Sequence, residues 1–422
     1  MTTSLSSTQH TLFVFLGLPS WALVDVTWSL LSQLASHLPE SYAISVFLVL
    51  ALTIGNTIPL LSNTFLKAAS QNQVRAVIYG ILSTGFTCGV LISLFWHQTI
   101  PIGSHRYSLI FYALFFIAGA CSSTSNVTHY MYVAKYSSTE TTALSTGMAL
   151  GSMTAGILGI SQGLFLCSVG MSITHVYITV ALLYLPAIFS LNLMHAPTDN
   201  GLESPDSPLL SDHVGLSHAS PTHGDDKLIM DSACTVVRRG IIASVDSQSQ
   251  RSESIWGHHS TLLYVQAGNS FLGYGVVPSL ISPVCSRFSS PYTVLLLATG
   301  LLCALDPACR ALTALRPLRT QRQVFYASAI LASLAMCLII TLAFPSSAPP
   351  LSSPYGGALP VLLYVSFGVG FGFTNTSVFI LLKSLVPPDE VQDAYRWTGI
   401  VSQTGAMMGS FLSFILVISG CI

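Results

Sequence analysis

The residues of this chain that could do chemistry are polar side chains embedded in long apolar segments. The densest group is Ser122–Thr128, in which six of seven side chains are polar while both flanks are strongly apolar. Lipid offers hydrogen-bonding groups no partners, so such side chains must face protein, water or a solute. Taken alone, the stretch favours helix–helix packing over a pathway lining, because membrane Ser and Thr commonly bond back to their own helix.

Asp25 is a carboxylic acid inside an apolar segment, three residues before Trp28, so the two side chains share one helix face. An ionisable group at such a depth predicts a functional site. Two interpretations stay open. Asp25 could exchange protons and make the activity depend on pH, or it could be a protonated acid that bonds a neighbouring helix.

The other polar groups within apolar segments are few, and most are amides. An amide supplies donors and an acceptor without charge, so it suits helix contacts as well as the recognition of a neutral ligand. Asp306 and Arg310 stand one helical turn apart, and this spacing predicts an ion pair or an interfacial anchor near a helix end. The amide residues are Asn56, Asn126, Gln162, Asn269, Asn375 and Gln403.

The composition excludes several classes of protein. The chain of 422 residues is 51% hydrophobic and 7% charged, with a net charge of −1, whereas soluble domains carry about 25% charged residues. It has no basic surface for nucleic acid. The twelve histidines show no metal-ligand spacing and the nine cysteines no C-x-x-C, so neither a metal nor a cofactor is predicted. His129 and His175 are isolated, which argues against an enzyme.

Eleven apolar segments are long enough to carry these residues across a membrane. The hydrophilic segment 196–257 separates six of them from five and is predicted to be a disordered cytosolic linker. We therefore expect an all-α polytopic membrane protein with two bundles, residues 1–195 and 258–422. The predicted spans are 11–35, 43–66, 74–96, 107–133, 141–167, 172–194, 258–282, 290–312, 324–344, 358–382 and 394–419.

The basic residues predict the orientation of these spans. With the N-terminus in the cytosol, only Arg106 and Arg287 of the 15 Lys and Arg residues lie on the outer side. Positive side chains favour the cytosolic side of a membrane. The C-terminus is then extracellular. Cys167 and Cys285 fall near the outer face, and the sequence leaves open whether they pair.

Small residues predict where helices pack closely. Gly147, Gly151, Ala155, Gly159 and Gly163 fall at every fourth position of span five and form one seam on which another backbone can lie. Spans ten and eleven have shorter seams of this type, and several spans carry a proline that permits a kink. The glycines of these seams are Gly368, Gly372, Gly405 and Gly409. The prolines are Pro19, Pro59, Pro186, Pro278 and Pro307.

Several short motifs follow one another in a fixed order along the chain. They are Ser20-Trp21-Ala22 with Trp28, Ser125-Asn126-Val127-Thr128, Gly147 with Gln162-Gly163, Gly275-Val276-Val277-Pro278-Ser279 with Cys285, and Trp397-x-Gly399-x-x-x-Gln403-x-Gly405-x-x-x-Gly409. In this order and separation they resemble the motifs of the eukaryotic riboflavin transporters of the solute carrier group. The resemblance extends over nearly the whole chain.

The chain departs from that family's pattern in span one. The family continues W-x-E-L-P, whereas Trp28 is followed here by Ser29-Leu30-Leu31-Ser32, so the glutamate and proline are absent. Asp25 stands where the family has asparagine, and Met148 where it has glutamine. A site that has lost one carboxylate and gained another nearby is expected to treat its substrate or protons differently.

The resemblance implies uptake of riboflavin across the plasma membrane without sodium or ATP, by a fold similar to that of equilibrative nucleoside and major-facilitator transporters. Riboflavin is neutral, with a flat ring system, a uracil-like edge and a polyol tail, so aromatic faces, amides and hydroxyls suit it. We expect it to bind between the bundles, near the middle of the membrane. The expected substrate-binding residues are Asp25, Trp28, Asn126, Thr128, Gln162, Asn269 and Gln403.

Five of these residues have an expected role. In this hypothesis Trp28 or a nearby aromatic ring stacks on the ring system. Asn126, Gln162 and Gln403 bond the polar edge or the ribityl chain, and Asp25 tunes pH dependence. Two alternatives remain, a transporter of another neutral ring compound such as a nucleoside, and a membrane receptor that binds without transport. Competition by nucleosides distinguishes the first, and absence of counterflow the second.

Overall fold

The computed structural model describes the chain at residues 2–59, 71–133, 136, 138–165, 172–194, 259–315, 318–343, 356–387 and 390–420. The predicted linker at 196–257 and Cys167 lie outside these residues, as do the side chains of Asp306 and Arg310. The described helices before residue 195 and after residue 260 belong to one packed unit. We refer to them as the first and second half.

The first half is mostly helical where it is described. Its helices are α1 (Thr2–Gly17), α2 (Pro19–Ser29), α3 (Leu31–His37), α4 (Ile44–Gly55), α5 (Gln71–Phe95), α6 (Leu109–Val133), α7 (Ser138–Leu164), α8 (Ile173–Leu182) and α9 (Tyr184–Leu193). Between α5 and α6, β1 (Ile100–Ile102) pairs antiparallel with β2 (His105–Tyr107). Gly103 has a φ of 61° in the turn between them, a conformation that glycine adopts without strain.

The second half begins with α10, residues 259–270, which continues into a π-helical turn, Phe271–Val276. The remaining helices are α11 (Val277–Cys285), α12 (Pro291–Leu315), α13 (Gln321–Ala343), α14 (Ala358–Leu385) and α15 (Val391–Ile418). Pro278 follows the π-helical turn directly. Because its ring nitrogen cannot donate to the carbonyl four residues earlier, the helix widens there.

Within the described residues, 7 helical segments are long and apolar enough to cross a membrane. Helices α1 and α2 are bent by 40° at Pro19, and the number of such segments rises to 8 if this pair counts as one span. Two shorter apolar helices, Ser41–Gly55 and Pro291–Leu305, overlap two further predicted spans, 43–66 and 290–312. The expected mostly helical, multi-pass architecture is confirmed, while eleven spans divided six and five stays a prediction.

The small-residue seam of α7 packs as the sequence predicts. A side chain at Gly147 would overlap the carbonyl oxygen of Val14, and one at Gly151 that of Leu18. The backbone of α7 therefore lies directly against α1 and the start of α2. Such contact is possible only where Cβ atoms are absent or small.

A second small-residue contact joins the two halves. A side chain at Gly156 of α7 would overlap the backbone of Gly300 and Ala304 on α12. Gly156 lies beside the predicted seam and not on it, so α7 has one close-packed face for its own half and another for the second half. In the second half, Gly405 and Gly409 of α15 contact α10 and the π-helical turn in the same way.

Among the described residues, a buried apolar core shared by both halves lies at one end of the helices. A large shared core joins the end of α2, α3 and the start of α4 to α11 and the start of α12. At the opposite ends, the described residues form separate cores, one within each half. The shared core includes Leu34, Ile44, Ile281 and Leu295; the separate cores include Phe13, Leu144 and Leu191, and Leu262, Val324 and Leu381.

Candidate functional site

Asn126, inside the polar stretch of α6, is held by Trp21 of α2. The indole Nε1 of Trp21 donates a hydrogen bond to Oδ1 of Asn126 at 3.0 Å, and both side chains are half-buried. Nδ2 of Asn126 bonds no described residue and is not enclosed by protein. Asn126 therefore contacts a neighbouring helix through its carbonyl oxygen, and its NH2 group has no acceptor among the described residues.

The residues one turn further along α6 are buried. His129 is fully buried, and its Nδ1 lies 3.2 Å from the hydroxyl of Ser20. Thr128 is fully buried as well, and its hydroxyl donates to the carbonyl of Thr124 in its own helix at 3.0 Å. In this conformation Thr128 takes part in helix packing, which is the interpretation that the polar stretch alone favours.

Asp25 lies where the two halves meet. The hydroxyl of Ser152, on α7, donates to its Oδ2. The thiol of Cys303, on α12 of the second half, lies 3.7 Å from the backbone oxygen of Asp25. Asp25 thus has the bond to a neighbouring helix that one of its two interpretations requires, and it remains half-buried. Trp28, one turn further, packs against the shared core.

Gln162 is buried at the end of α7 and pairs with Gln33 of α3. Nε2 of Gln33 donates to Oε1 of Gln162 at 2.6 Å, and both side chains are 3% exposed. The second half covers this pair, because a side chain at Gly163 would overlap both Gln33 and Leu296 of α12. In this conformation Gln162 is therefore enclosed at the end of the helices that carries the shared core.

The second half holds a further cluster of amides. Gln266 is fully buried, and its Nε2 donates to Oδ1 of Asn375 at 2.5 Å and to the hydroxyl of Ser402 at 2.8 Å. Asn269 donates to the hydroxyl of Ser328 at 2.9 Å. Gln403 follows Ser402 on α15, and its Oε1 is enclosed without a partner among the described residues.

The structure brings some of the predicted residues together through partners that the sequence did not single out. Asp25 and Asn126 are linked by α2, since Trp21, the partner of Asn126, stands one turn before Asp25. The partners missed are Trp21, Gln33, Ser152, Gln266 and Ser402. Trp21 stood in a recognised motif, but the others carried no periodic or motif signal.

The chemistry of this arrangement is that of neutral recognition. Indole rings, amides, hydroxyls and one half-buried carboxyl can stack on and hydrogen-bond a neutral ligand. Among the described residues, no three His, Cys, Asp or Glu side chains converge as a metal site would require.

Solved structures of membrane transporters share the fold of this chain. The chain is similar to the POT family transporter PepTSo, with a TM-score of 0.59 and 11% identity, covering 97% of this chain and 90% of that chain. It is also similar to a D-xylose-proton symporter, with a TM-score of 0.57 and 12% identity over 97% and 90%. The chain has the major-facilitator-like fold of these membrane transporters.

The family follows from the sequence comparisons. The profile of "Solute carrier family 52, riboflavin transporter" matches residues 5–196 and 214–419, so the chain belongs to this family. It is 24% identical to riboflavin transporter member 3-A of Danio rerio, over 97% of this chain and 95% of the relative. It is 23% identical to member 2 of Papio hamadryas, over 96% and 93%. The protein is a transporter and not an enzyme.

Proposed function

We propose that the protein carries riboflavin across the plasma membrane by alternating access, without sodium or ATP. The observation that carries this proposal is the family match, which extends over both halves, residues 5–196 and 214–419. The relatives named above are riboflavin transporters. Because the substrate route is proposed to lie between the two halves, it is supported by a family match that covers both of them.

The proposed binding site lies between the halves, beside Asp25. Trp28 stacks on the isoalloxazine ring, and Asn126 and Gln403 bond its polar edge or the ribityl chain. Gln162 and Asn269 have internal partners here, Gln33 and Ser328, so they contact substrate only after these bonds break. The neutrality of the amides supports a neutral substrate, because a charged clamp would cost desolvation without a charged ligand.

The distribution of the cores supports alternating access. The halves share a core at the end that contains Gln33 and Gln162, and they have separate cores at the end that contains the start of α1. With the N-terminus in the cytosol, the shared core closes the outer end, and the cores described at the inner end are separate. Transport then requires the shared core to separate while the cytosolic ends come together.

The test is uptake of labelled riboflavin by cells that express the protein, with surface protein measured in parallel. We expect saturable uptake above that of untransfected cells, unchanged when sodium is replaced by choline. Unlabelled nucleosides should not compete. Saturable uptake that nucleosides abolish would assign the protein to nucleoside transport, and surface protein without uptake would refute the proposal.

A further inference from the structure

The hydrogen bond between Trp21 and Asn126 determines which end of the Asn126 amide is available. An indole N–H can only donate, so the atom of Asn126 that lies 3.0 Å from it is the carbonyl oxygen. The two ends of an asparagine amide have nearly the same shape and are usually assigned only from such partners. The NH2 group of Asn126 therefore faces away from Trp21, with two donors.

Asn126 differs in this respect from the three polar residues that precede it directly. The hydroxyls of Ser123, Thr124 and Ser125 all donate to carbonyl oxygens of their own helix. Nδ2 of Asn126 has no acceptor among the described residues and is not enclosed. Of these neighbouring groups, Asn126 is the one with donors left for a ligand.

We propose that Asn126 donates to a carbonyl oxygen of the transported ring system, and that Trp21 is the positioning residue that imposes this polarity. The inference rests on the proposed function, since riboflavin supplies the ring. The indole beside the amide favours a flat ring over a polyol chain. The two pyrimidine carbonyl oxygens are fixed acceptors, whereas ribityl hydroxyls can turn to donate or accept.

The second half contains a similar arrangement. Oδ1 of Asn375 accepts from Nε2 of Gln266, and Nδ2 of Asn375 has no acceptor among the described residues. Both asparagines stand in an N-x-S/T triplet, Asn126-Val127-Thr128 and Asn375-Thr376-Ser377. An asparagine bonded to a neighbouring residue thus occurs in each half, but only the partner of Asn126 fixes the polarity of the amide, because Trp21 can only donate whereas Gln266 can also accept.

The first part of the test changes the ligand. Riboflavin analogues with sulfur in place of one pyrimidine oxygen, at C2 or at C4, keep the ring but weaken one acceptor. In competition against labelled riboflavin, we expect one of the two analogues to inhibit wild-type uptake about five- to tenfold more weakly than riboflavin, the size of one lost hydrogen bond. In the Asn126→Ala variant, unlabelled riboflavin and that analogue should inhibit uptake of labelled riboflavin equally. Ser123→Ala, a matched control in the same stretch, should discriminate as the wild type does.

The second part tests the positioning role of Trp21. Trp21→Phe keeps an aromatic ring but removes the donor, so the Asn126 amide is free to reverse. We expect KM to rise several-fold while the maximal rate per surface molecule is retained. In an Asn126→Ala background the same change should leave KM unaltered, because there is no amide left to orient.

The outcomes separate this inference from the proposed function. Wild-type protein that reaches the surface but does not take up riboflavin refutes both. Normal wild-type uptake refutes the inference alone if Asn126→Ala still discriminates against the analogue, or if Trp21→Phe raises KM equally in both backgrounds. The second result would mean that Trp21 only supports packing.

Discussion

Asp25 combines a structural bond with partial exposure. Its Oδ2 accepts from Ser152, and the side chain is half-buried beside the second half. An asparagine could accept the same bond with nearly the same shape, but it cannot bind or release a proton. One isosteric substitution therefore separates the two interpretations of Asp25.

We predict that Asp25→Asn keeps surface protein and uptake near neutral pH but removes the dependence of uptake on external pH. The measurement is initial riboflavin uptake across a series of buffers from acidic to neutral. Ser152→Ala is the control, since it removes the bond and leaves the acid in place. A variant Asp25→Asn with an unchanged pH profile would assign Asp25 to helix packing alone.

Asn269 and Asn375 form a second contrast between single residues. The NH2 group of Asn269 is occupied by Ser328 on α13, whereas that of Asn375 has no acceptor among the described residues. We predict that Asn269→Ala lowers thermal stability by about 1 kcal/mol, the usual net value of one hydrogen bond, and raises KM less than Asn375→Ala does. Asn375→Ala should raise KM several-fold, and it should also lower thermal stability, because Asn375 bonds the buried Gln266. If Asn269→Ala raised KM more than Asn375→Ala did, Asn269 and not Asn375 would be assigned to substrate contact.

At the scale of elements, the sequence predicted what depends on local spacing. The seam at Gly147 and Gly151 follows from a four-residue repeat, and the bend at Pro19 from a missing N–H. The partners of the site could not be predicted, because Trp21 and Asn126 are 105 residues apart and Gln33 and Gln162 are 129 apart. Such pairs are fixed by helix packing, which no motif in one sequence records.

The α7 seam gives a prediction with a matched control. A methyl group at Gly151 would overlap the carbonyl oxygen of Leu18, whereas Gly80, on α5, has open space around it. Gly151→Ala should destabilise the protein by about 1–3 kcal/mol, the usual cost of overpacking. Gly80→Ala should be neutral or slightly stabilising, because alanine favours a helix by up to about 1 kcal/mol. The thermal midpoints of the purified variants decide, and equal effects would contradict the packing seen at α7.

At the scale of the whole molecule, contacts between the halves cluster at the end that carries the shared core. Ser45 of α4 donates to the backbone oxygen of Ser279 on α11. Further along α4, the hydroxyls of Thr53 and Ser410 lie 2.9 Å apart. Under the proposed mechanism these contacts must break once in every transport cycle.

A cross-link across this end should therefore stop transport. We predict that a variant with Thr53→Cys and Ser410→Cys, whose side chains face each other, loses uptake on oxidation and regains it on reduction, while each single variant stays active under both conditions. Uptake that continues while the cross-link is shown to be complete would mean that these ends do not separate during transport.

The central claim, that this chain alone moves riboflavin, is tested most directly with purified protein in liposomes that lack sodium and ATP. Vesicles preloaded with unlabelled riboflavin should accumulate labelled riboflavin transiently by counterflow, and protein-free vesicles should not. Binding of riboflavin to the purified protein without counterflow would contradict the account, because it would describe a receptor and not a transporter.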